Sequence, residues 1–241
     1  MGFLTTFSVN LFSHVQCHII IIFIIYSSYN KMKTLFLGST GIMNEHLFTI
    51  VNTLNDFDSY IGCGGSSIIA AIKACKIPDE DVKLLFSNLR IISFEYKWNE
   101  NTLKKIINSE FPSGKINTIK IILGRFFGKT NLKNVPLGVV VYNMTNRSVE
   151  MLRNCDLSVV DAIILSISLP GFLYPTYYNE KQYIDITPIN RFPLDIISSE
   201  ENVYSIYIRS SSQTYLEEIL TASSKPWQEI EPNQVIDEIY D

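Results

Sequence analysis

Charged side chains are missing from the first thirty positions of this 241-residue chain, and histidine is missing from every position after 46. The three histidines, His14, His18 and His46, all lie early. A serine hydrolase with the chain order nucleophile, acid, histidine would therefore have no general base. A Ser-Asp dyad, which uses no histidine, passes this test.

Paired cysteines and basic blocks are also absent. The four cysteines, Cys17, Cys63, Cys75 and Cys155, form no C-x-x-C pair and have no regular spacing. This pattern favours neither a zinc site nor a disulfide framework, and it indicates a reducing, intracellular compartment. The net charge of -4 provides no electrostatic surface for nucleic acid. We predict no cofactor, no metal and no nucleic-acid partner.

The leader, residues 1–31, differs in composition from the rest of the chain. Its apolar run "HIIIIFIIY" has about half of the roughly 20 residues that a membrane-spanning helix needs, and no basic segment precedes it. The first six residues, "MGFLTT", also fit the short N-myristoylation pattern. Two interpretations stay open: the leader is a membrane anchor, or it is a dispensable extension before a domain that begins near Met32.

Strand and helix signals alternate from Lys33 onward, which predicts one α/β domain over residues 32–209 with a mainly parallel sheet. The strand signals are "KTLFLG", "DSYIGC", "PLGVVVYNMT", "KQYIDI" and "NVYSIYI". The helix signals include "EHLFTIVNTL", "PDEDVKLLFSNL", "NENTLKKIINSEF" and "SVVDAIILSIS", whereas "IKIILGRFFGKTN" is mixed. An acidic tail, residues 210–241, follows and is predicted to be solvated.

The stretch "IGCGGSSIIAA", residues 61–71, predicts a sharp turn from a strand into a helix. Small residues fill its centre, as they do in the turns on which hydrolases mount a nucleophile. A loop of small residues, "GSTG", follows the first predicted strand, and "AIILSISLPGFLYP" and "YIDITPINRFP" come later.

In this order the four segments resemble those of the patatin-like phospholipases, over roughly residues 32–197. The corresponding family segments read as a GGGxRG-type oxyanion loop, GTSAG at the nucleophile, "AIRASSAIPGLFPP" and "YVDGGVLNNLP" with the catalytic aspartate. The resemblance implies a three-layer patatin-like fold and lipid acyl hydrolysis by a Ser-Asp dyad, in which the aspartate activates the serine hydroxyl. It also implies that Ser166, Ser168, Pro170 and Gly171 shape the wall beside the acid.

The helix phase decides which residue takes the nucleophile position. The family's "ALIAALLALG" aligns without a gap to the helix after the turn, so GTSAG falls on Gly62, Cys63, Gly64, Gly65 and Ser66. The nucleophile position is then Gly64. A shift of two residues would make Ser66 the nucleophile, but it would put the β-branched Ile68 where a small residue belongs and rotate the helix face by about 200°. Cys63 could be a thiol nucleophile, although side-chain alternation along a strand turns it towards the core.

The oxyanion loop and the segment with the acid also lack residues that the family motifs contain. The family's three glycines fall on Ser39, Thr40 and Gly41, and the first two lose the backbone freedom of glycine. Asp185 matches the catalytic aspartate, but Ile186 and Thr187 replace the glycines after it. A carboxylate that follows a strand can alternatively serve as a turn cap.

Three functions follow as hypotheses. The first is a patatin-like protein that has lost hydrolysis and keeps a lipid-facing cleft, with a lipid or acyl ester, or a membrane surface, as its partner. The second is an active phospholipase or esterase that uses Ser66 and Asp185. The third is a phosphate-binding or nucleotide-binding protein that uses the "GSTG" and "GCGG" loops. The third has the least support, because no Walker lysine and no G-x-G-x-x-G occurs.

Overall fold

The computed structural model describes residues 6–9, 17–22, 32–40, 45–54, 57–93, 114–169, 173–187, 189–190, 193–197 and 203–210. Its strands are β1 (Thr6–Val9), β2 (Cys17–Ile22), β3 (Thr34–Thr40), β4 (Ser59–Gly64), β5 (Leu137–Asn143), β6 (Ser148–Arg153), β7 (Thr176–Tyr178), β8 (Lys181–Ile184) and β9 (Val203–Ser210). Its helices are α1 (Glu45–Thr53), α2 (Ser66–Ala74), α3 (Asp79–Ser93), α4 (Gly114–Phe127) and α5 (Val159–Ile167), with 3-10 turns at Leu132–Asn134 and Leu194–Ile197.

All the described strands belong to one mixed sheet, in the order β1-β2-β9-β3-β4-β5-β8-β7, and β6 also pairs with β5. The four central strands, β9, β3, β4 and β5, are parallel. Antiparallel strands extend the sheet on both sides of this centre. The predicted α/β class with a parallel centre is therefore confirmed.

The central strands are apolar on both faces, as expected for parallel strands that are covered on both sides. Along β5, Val139 and Val141 pack with the helices, and Val140 between them packs on the opposite face. All seven residues of β5 are buried. The continuous run "LGVVVYN" thus places this strand at the centre of the sheet.

The sheet lies between two covering layers. Apolar side chains of α1 to α5 pack on one face, and α2 and α5, whose described side chains are almost entirely buried, form the inner part of this layer. Ile197 of the 3-10 turn, Ile186 and the partly buried Met151 of β6 cover the other face. The three layers hold the carboxyl ends of the neighbouring parallel strands β3 and β4 side by side, at the same end of the sheet.

Several boundaries differ from the sequence-based prediction. The mixed stretch "IKIILGRFFGKTN" lies mostly in α4, whose buried Ile119, Leu123 and Phe127 recur every four residues and face the core. Neither β6 nor β7 was predicted, because most of their residues are only partly buried and do not alternate clearly. The predicted helix "NENTLKKIINSEF" lies outside the described residues.

The leader contributes to the sheet. Its strand β2 pairs antiparallel with β9, from Cys17 opposite Ser210 to Ile22 opposite Ser205, and β1 pairs with β2. Among the described residues no helix is long and apolar enough to cross a membrane. The division into a leader, a domain over 32–209 and a tail stays a prediction, and the tail beyond Ser210 lies outside the described residues.

Candidate functional site

The turn between β4 and α2 is as tight as the sequence suggests. A Cβ atom added to Gly62 would lie 2.6 Å from Ser67 Cα and 2.8 Å from the Ser66 carbonyl oxygen. Only glycine lets the end of β4 approach the first turn of α2 this closely. Gly65 then connects the strand to α2 with helical backbone angles, φ -60° and ψ -25°.

Gly64 stands at the apex of the turn with φ +56°, in the left-handed region. A Cβ atom built on it would point at three side chains: it would lie 3.2 Å from Asp185 Oδ1, 3.0 Å from Thr187 Oγ1 and under 3.0 Å from Ser39 Oγ. A side chain at this position would therefore face the carboxylate of Asp185. Gly64 supplies neither a hydroxyl nor a thiol there.

Asp185 reaches this point because of the direction of its strand. Strand β8 runs antiparallel to β5, with Ile184 opposite Tyr142, while Cys63 of β4 is opposite Val140 on the other side of β5. The residue after Ile184 therefore lies level with the end of β4, across β5. The backbone N–H of Asp185 donates to the Ser168 carbonyl at 3.0 Å, which fixes the start of the following turn.

The carboxylate of Asp185 is buried and has hydrogen-bond donors from its own turn. Thr187 donates to Oδ1 through its backbone N–H at 2.8 Å and through its hydroxyl at 2.5 Å. Burial raises the pKa of Asp185 to about 7, against the lowering effect of these two hydrogen bonds. A carboxyl group with such a pKa could accept a proton near neutrality, provided that a donor faced it.

Ser66 has a different environment from the one that a nucleophile needs. Its fully buried hydroxyl lies 2.9 Å from the Leu37 carbonyl oxygen and 2.7 Å from the Cys63 carbonyl oxygen. It also accepts a hydrogen bond from the Cys63 backbone N–H at 3.3 Å. These contacts join the first turn of α2 to the ends of β3 and β4, and none of them involves Asp185.

Cys63 is turned into the core on the face of the sheet opposite to the helices. It packs with Phe36, Ile61 and Val140 and has no exposed surface. Burial, and next the negative charge of Asp185, raise the pKa of its thiol well above the usual range. A thiolate nucleophile is disfavoured here, because the reactive form of cysteine is the ionised one.

The first loop begins with an irregularity in β3. Leu37 is opposite Gly62 and Thr40 is opposite Gly64, so three steps along β3 match two along β4. This bulge contains Ser39, whose side chain is buried against Gly64. Bulges often redirect a side chain near a functional site. Gly41, the third residue of the predicted oxyanion loop, lies outside the described residues.

Two serines at the end of the buried helix α5 make hydrogen bonds within the fold: Ser166 lies in its last turn, and Ser168 is its C-cap. The Ser166 hydroxyl donates to the Val140 carbonyl at 3.0 Å, and the Ser168 hydroxyl donates to the Ile164 carbonyl at 2.7 Å. Both contacts are internal to the fold, in keeping with the structural role that the resemblance implies. Pro170 and Gly171 lie outside the described residues.

Of the residues proposed from the sequence, the structure places Ser39, Gly64 and Asp185 together, and Thr187 lies beside them. Sequence analysis identified Thr187 only as a residue in the place of a glycine. An aspartate side chain commonly accepts a hydrogen bond from the backbone N–H two residues on, in an Asx-turn, so Asp185 itself was the sequence signal for its contact with the Thr187 N–H. Within the described ranges no group of three metal-ligating side chains lies together.

Comparison with known proteins finds similarity in fold only. No protein-family profile and no curated protein matches the sequence. Among solved structures, the chain is similar to VipD from Legionella pneumophila, a patatin-like phospholipase, with a TM-score of 0.51 and 13% sequence identity. The match covers 93% of this chain and 57% of the VipD chain, so this chain spans little more than half the length of that protein. The architecture of this chain is accordingly a mixed α/β fold similar to that of a patatin-like protein.

Proposed function

We propose that this chain is a lipid-binding or regulatory protein with a patatin-like fold that lacks the Ser-Asp hydrolysis of the phospholipases it resembles. The fold supports a function related to lipid acyl hydrolases. The loss of hydrolysis is our inference from the residues at the elbow. The ligand would be a lipid or acyl ester bound near the carboxyl ends of β3 and β4.

One observation carries the proposal: the residue whose side chain would face Asp185 is a glycine. A Cβ at position 64 would lie 3.2 Å from Asp185 Oδ1, a distance at which a serine hydroxyl would be within reach of the carboxylate. With Gly64 there, the aspartate has no elbow hydroxyl to activate. Loss of a nucleophile from a catalytic unit reduces the rate by a factor on the order of a million.

The alternative hydrolase, with Ser66 as the nucleophile, has less support. Its hydroxyl is fully buried and is engaged with backbone atoms of Leu37 and Cys63. An attack on an ester would require this hydroxyl to leave both carbonyl oxygens and to reach a substrate from inside the strand-helix junction. We therefore assign Ser66 a structural role.

Partners and location follow from the proposed ligand. An acyl lipid reaches such a binding site from a membrane surface, so transient association with an intracellular membrane is part of the proposal. The leader could provide additional membrane affinity.

The test combines binding with turnover. Purified full-length protein is mixed with phosphatidylcholine vesicles, with and without anionic lipid, and sedimented. In parallel it is incubated with a fluorogenic phospholipid and a fluorophosphonate probe, next to an active patatin-type hydrolase and a heat-denatured sample. We expect vesicle binding without turnover and without probe labelling.

Labelling or turnover above the heat-denatured sample would contradict the loss of hydrolysis. Ser66→Ala would then identify the nucleophile, because loss of labelling in that variant supports the second hypothesis. Absence of binding to every vesicle would contradict the lipid-binding part.

A further inference from the structure

Two hydroxyl groups fill the space that a side chain at position 64 would take. Ser39 Oγ comes from the bulge at the end of β3, and Thr187 Oγ1 comes from the turn after β8. Both would lie within 3.0 Å of a Cβ atom on Gly64, and real Cβ atoms essentially never come closer than that to another atom. The space at position 64 is therefore filled by these two hydroxyls and is not left open by the missing side chain.

The two hydroxyls are hydrogen-bonded to each other and to the aspartate. Ser39 Oγ bonds to Thr187 Oγ1, although the two residues are 148 positions apart in the chain. Thr187 Oγ1 in turn donates to Asp185 Oδ1. Because a hydroxyl has one proton, Thr187 accepts from Ser39 while it donates to the aspartate.

All three side chains are at least largely shielded from solvent. Ser39 and Asp185 are 4% and 5% exposed, and Thr187 is partly buried. Buried polar groups need partners, and among the described residues these three side chains find partners in one another. The cluster also connects the ends of β3 and β8 across Gly64 at the end of β4.

We propose that Ser39, Thr187 and Asp185 form a hydroxyl–carboxylate cluster that occupies the place of an elbow side chain. This inference rests on the proposed function and explains how the site is kept without a nucleophile. In it, Asp185 is a structural acceptor that joins two loops, and it does not act as a base. Ser39 and Gly64 are a matched pair: the serine in the first loop fits because the elbow residue has no side chain.

The matched pair predicts that Gly64→Ser alone does not restore a hydrolase. The new side chain would displace Ser39 Oγ from its hydrogen bond with Thr187 Oγ1 and would also adopt the unfavourable positive φ of this position. Ser39→Gly removes that hydroxyl and leaves the backbone cost unchanged. The double variant should therefore be more stable than the sum of the single effects predicts, because the two substitutions share one space.

Gly128 supplies a matched control for the backbone cost. It has φ +58°, close to the value at Gly64, but a Cβ atom there would meet nothing within 4 Å. Gly128→Ser consequently measures the effect of positive φ without such a contact. The excess destabilisation of Gly64→Ser over Gly128→Ser then reports the contacts at the elbow together with the burial of the new hydroxyl, because Gly64 is buried and Gly128 is exposed.

The experiment is a double-mutant cycle on the full chain, with urea unfolding of the wild type, Gly64→Ser, Ser39→Gly and the double variant. We expect a coupling of roughly tenfold in the unfolding equilibrium constant between positions 39 and 64. If the Gly64→Ser variant is insoluble, a soluble double variant supports the same coupling between positions 39 and 64. Additive effects, or a Gly64→Ser variant no less stable than Gly128→Ser, would overturn the matched pair.

A second cycle tests the hydrogen-bonded cluster with small deletions that should all fold. It uses Ser39→Ala, Thr187→Val and their combination, since each removes one hydroxyl and keeps most of the side-chain volume. We expect the combination to be little worse than Thr187→Val alone. Equal and independent losses would show that the two hydroxyls do not act together.

Fluorophosphonate labelling of the wild type, located by peptide mapping, separates this inference from the proposed function. Labelling at Ser39 would overturn both, because Ser39 would then be a nucleophile. Labelling at Ser66, together with coupling energies in both double-mutant cycles, would contradict only the proposed loss of hydrolysis. Additive effects in both double-mutant cycles, without labelling of any residue, would contradict only the proposed cluster.

Discussion

Asp185→Asn should make the protein more stable at neutral and alkaline pH. The substitution keeps a carbonyl oxygen that can accept both hydrogen bonds from Thr187, but it removes the group that ionises. Burial raises the pKa of Asp185 in the folded protein to about 7, from an ordinary value of 3.8. The folded chain therefore holds the proton at this site more tightly than the unfolded chain does.

The sign of the effect follows from this difference. A carboxyl group with a raised pKa contributes stability that is fully present below pH 4 and is lost as the pH rises to about 7. The difference between 3.8 and about 7 corresponds to roughly 4 kcal/mol, an order-of-magnitude figure. This is a large share of the 5–15 kcal/mol that is typical of a domain.

The assay is urea unfolding of the wild type and of Asp185→Asn, monitored by circular dichroism and repeated at intervals from pH 4 to pH 8.5. We expect similar free energies of unfolding at the acid end and a growing advantage for the variant up to about pH 8. Asp156→Asn is the control, since that side chain is 78% exposed in its pair with Lys133 and such pairs contribute at most about 1 kcal/mol. A constant difference between wild type and Asp185→Asn at all pH values would refute the reasoning.

Three further predictions concern the elbow and the leader. Ser66→Ala should destabilise the fold by roughly 1–2 kcal/mol, because it removes the hydroxyl that links the Cys63 N–H with the Leu37 carbonyl. Ser67→Ala should be neutral or stabilising, since the buried Ser67 hydroxyl has no hydrogen-bond partner in the described part of the chain. Equal losses of the two variants in urea unfolding would contradict this assignment. Gly62→Ala should destabilise by more than about 3 kcal/mol or abolish folding, because its Cβ would lie 2.6 Å from Ser67 Cα, and a soluble variant with the wild-type melting temperature would contradict the tight junction. Deletion of residues 1–31 should lower the melting temperature, because it removes the strand that pairs with β9 from Ser205 to Ser210, and an unchanged melting temperature would favour the dispensable extension.

The amphipathic and buried patterns of the sequence were sufficient for most of the central elements. Periodicity identified α1, α2 and α5, and the apolar runs identified β3, β4, β5 and β9. It was insufficient for α4, where apolar residues on the exposed side, such as Ile121, obscure the helical period. It was also insufficient for β6 and β7, whose pairing partners on other strands define them more than their own residues do.

The leader illustrates the same limit. Its composition distinguishes it from the rest of the chain but does not distinguish a membrane segment from a strand, since both are apolar runs. The pairing of β2 with β9 brings together segments from opposite ends of the chain. No local pattern encodes such a contact.

The resemblance to the patatin-like phospholipases put Gly64 at the apex of the elbow. The sequence by itself determined that a sharp strand-helix turn lies at residues 61–71 and that an aspartate follows a later strand. These are local properties, set by residue size, helix period and strand alternation. Only the tertiary structure decided what faces Gly64. Ser39 and Thr187 are 148 positions apart, and they meet there because a bulge in β3 and the antiparallel course of β8 bring their hydroxyls to one point beside Asp185.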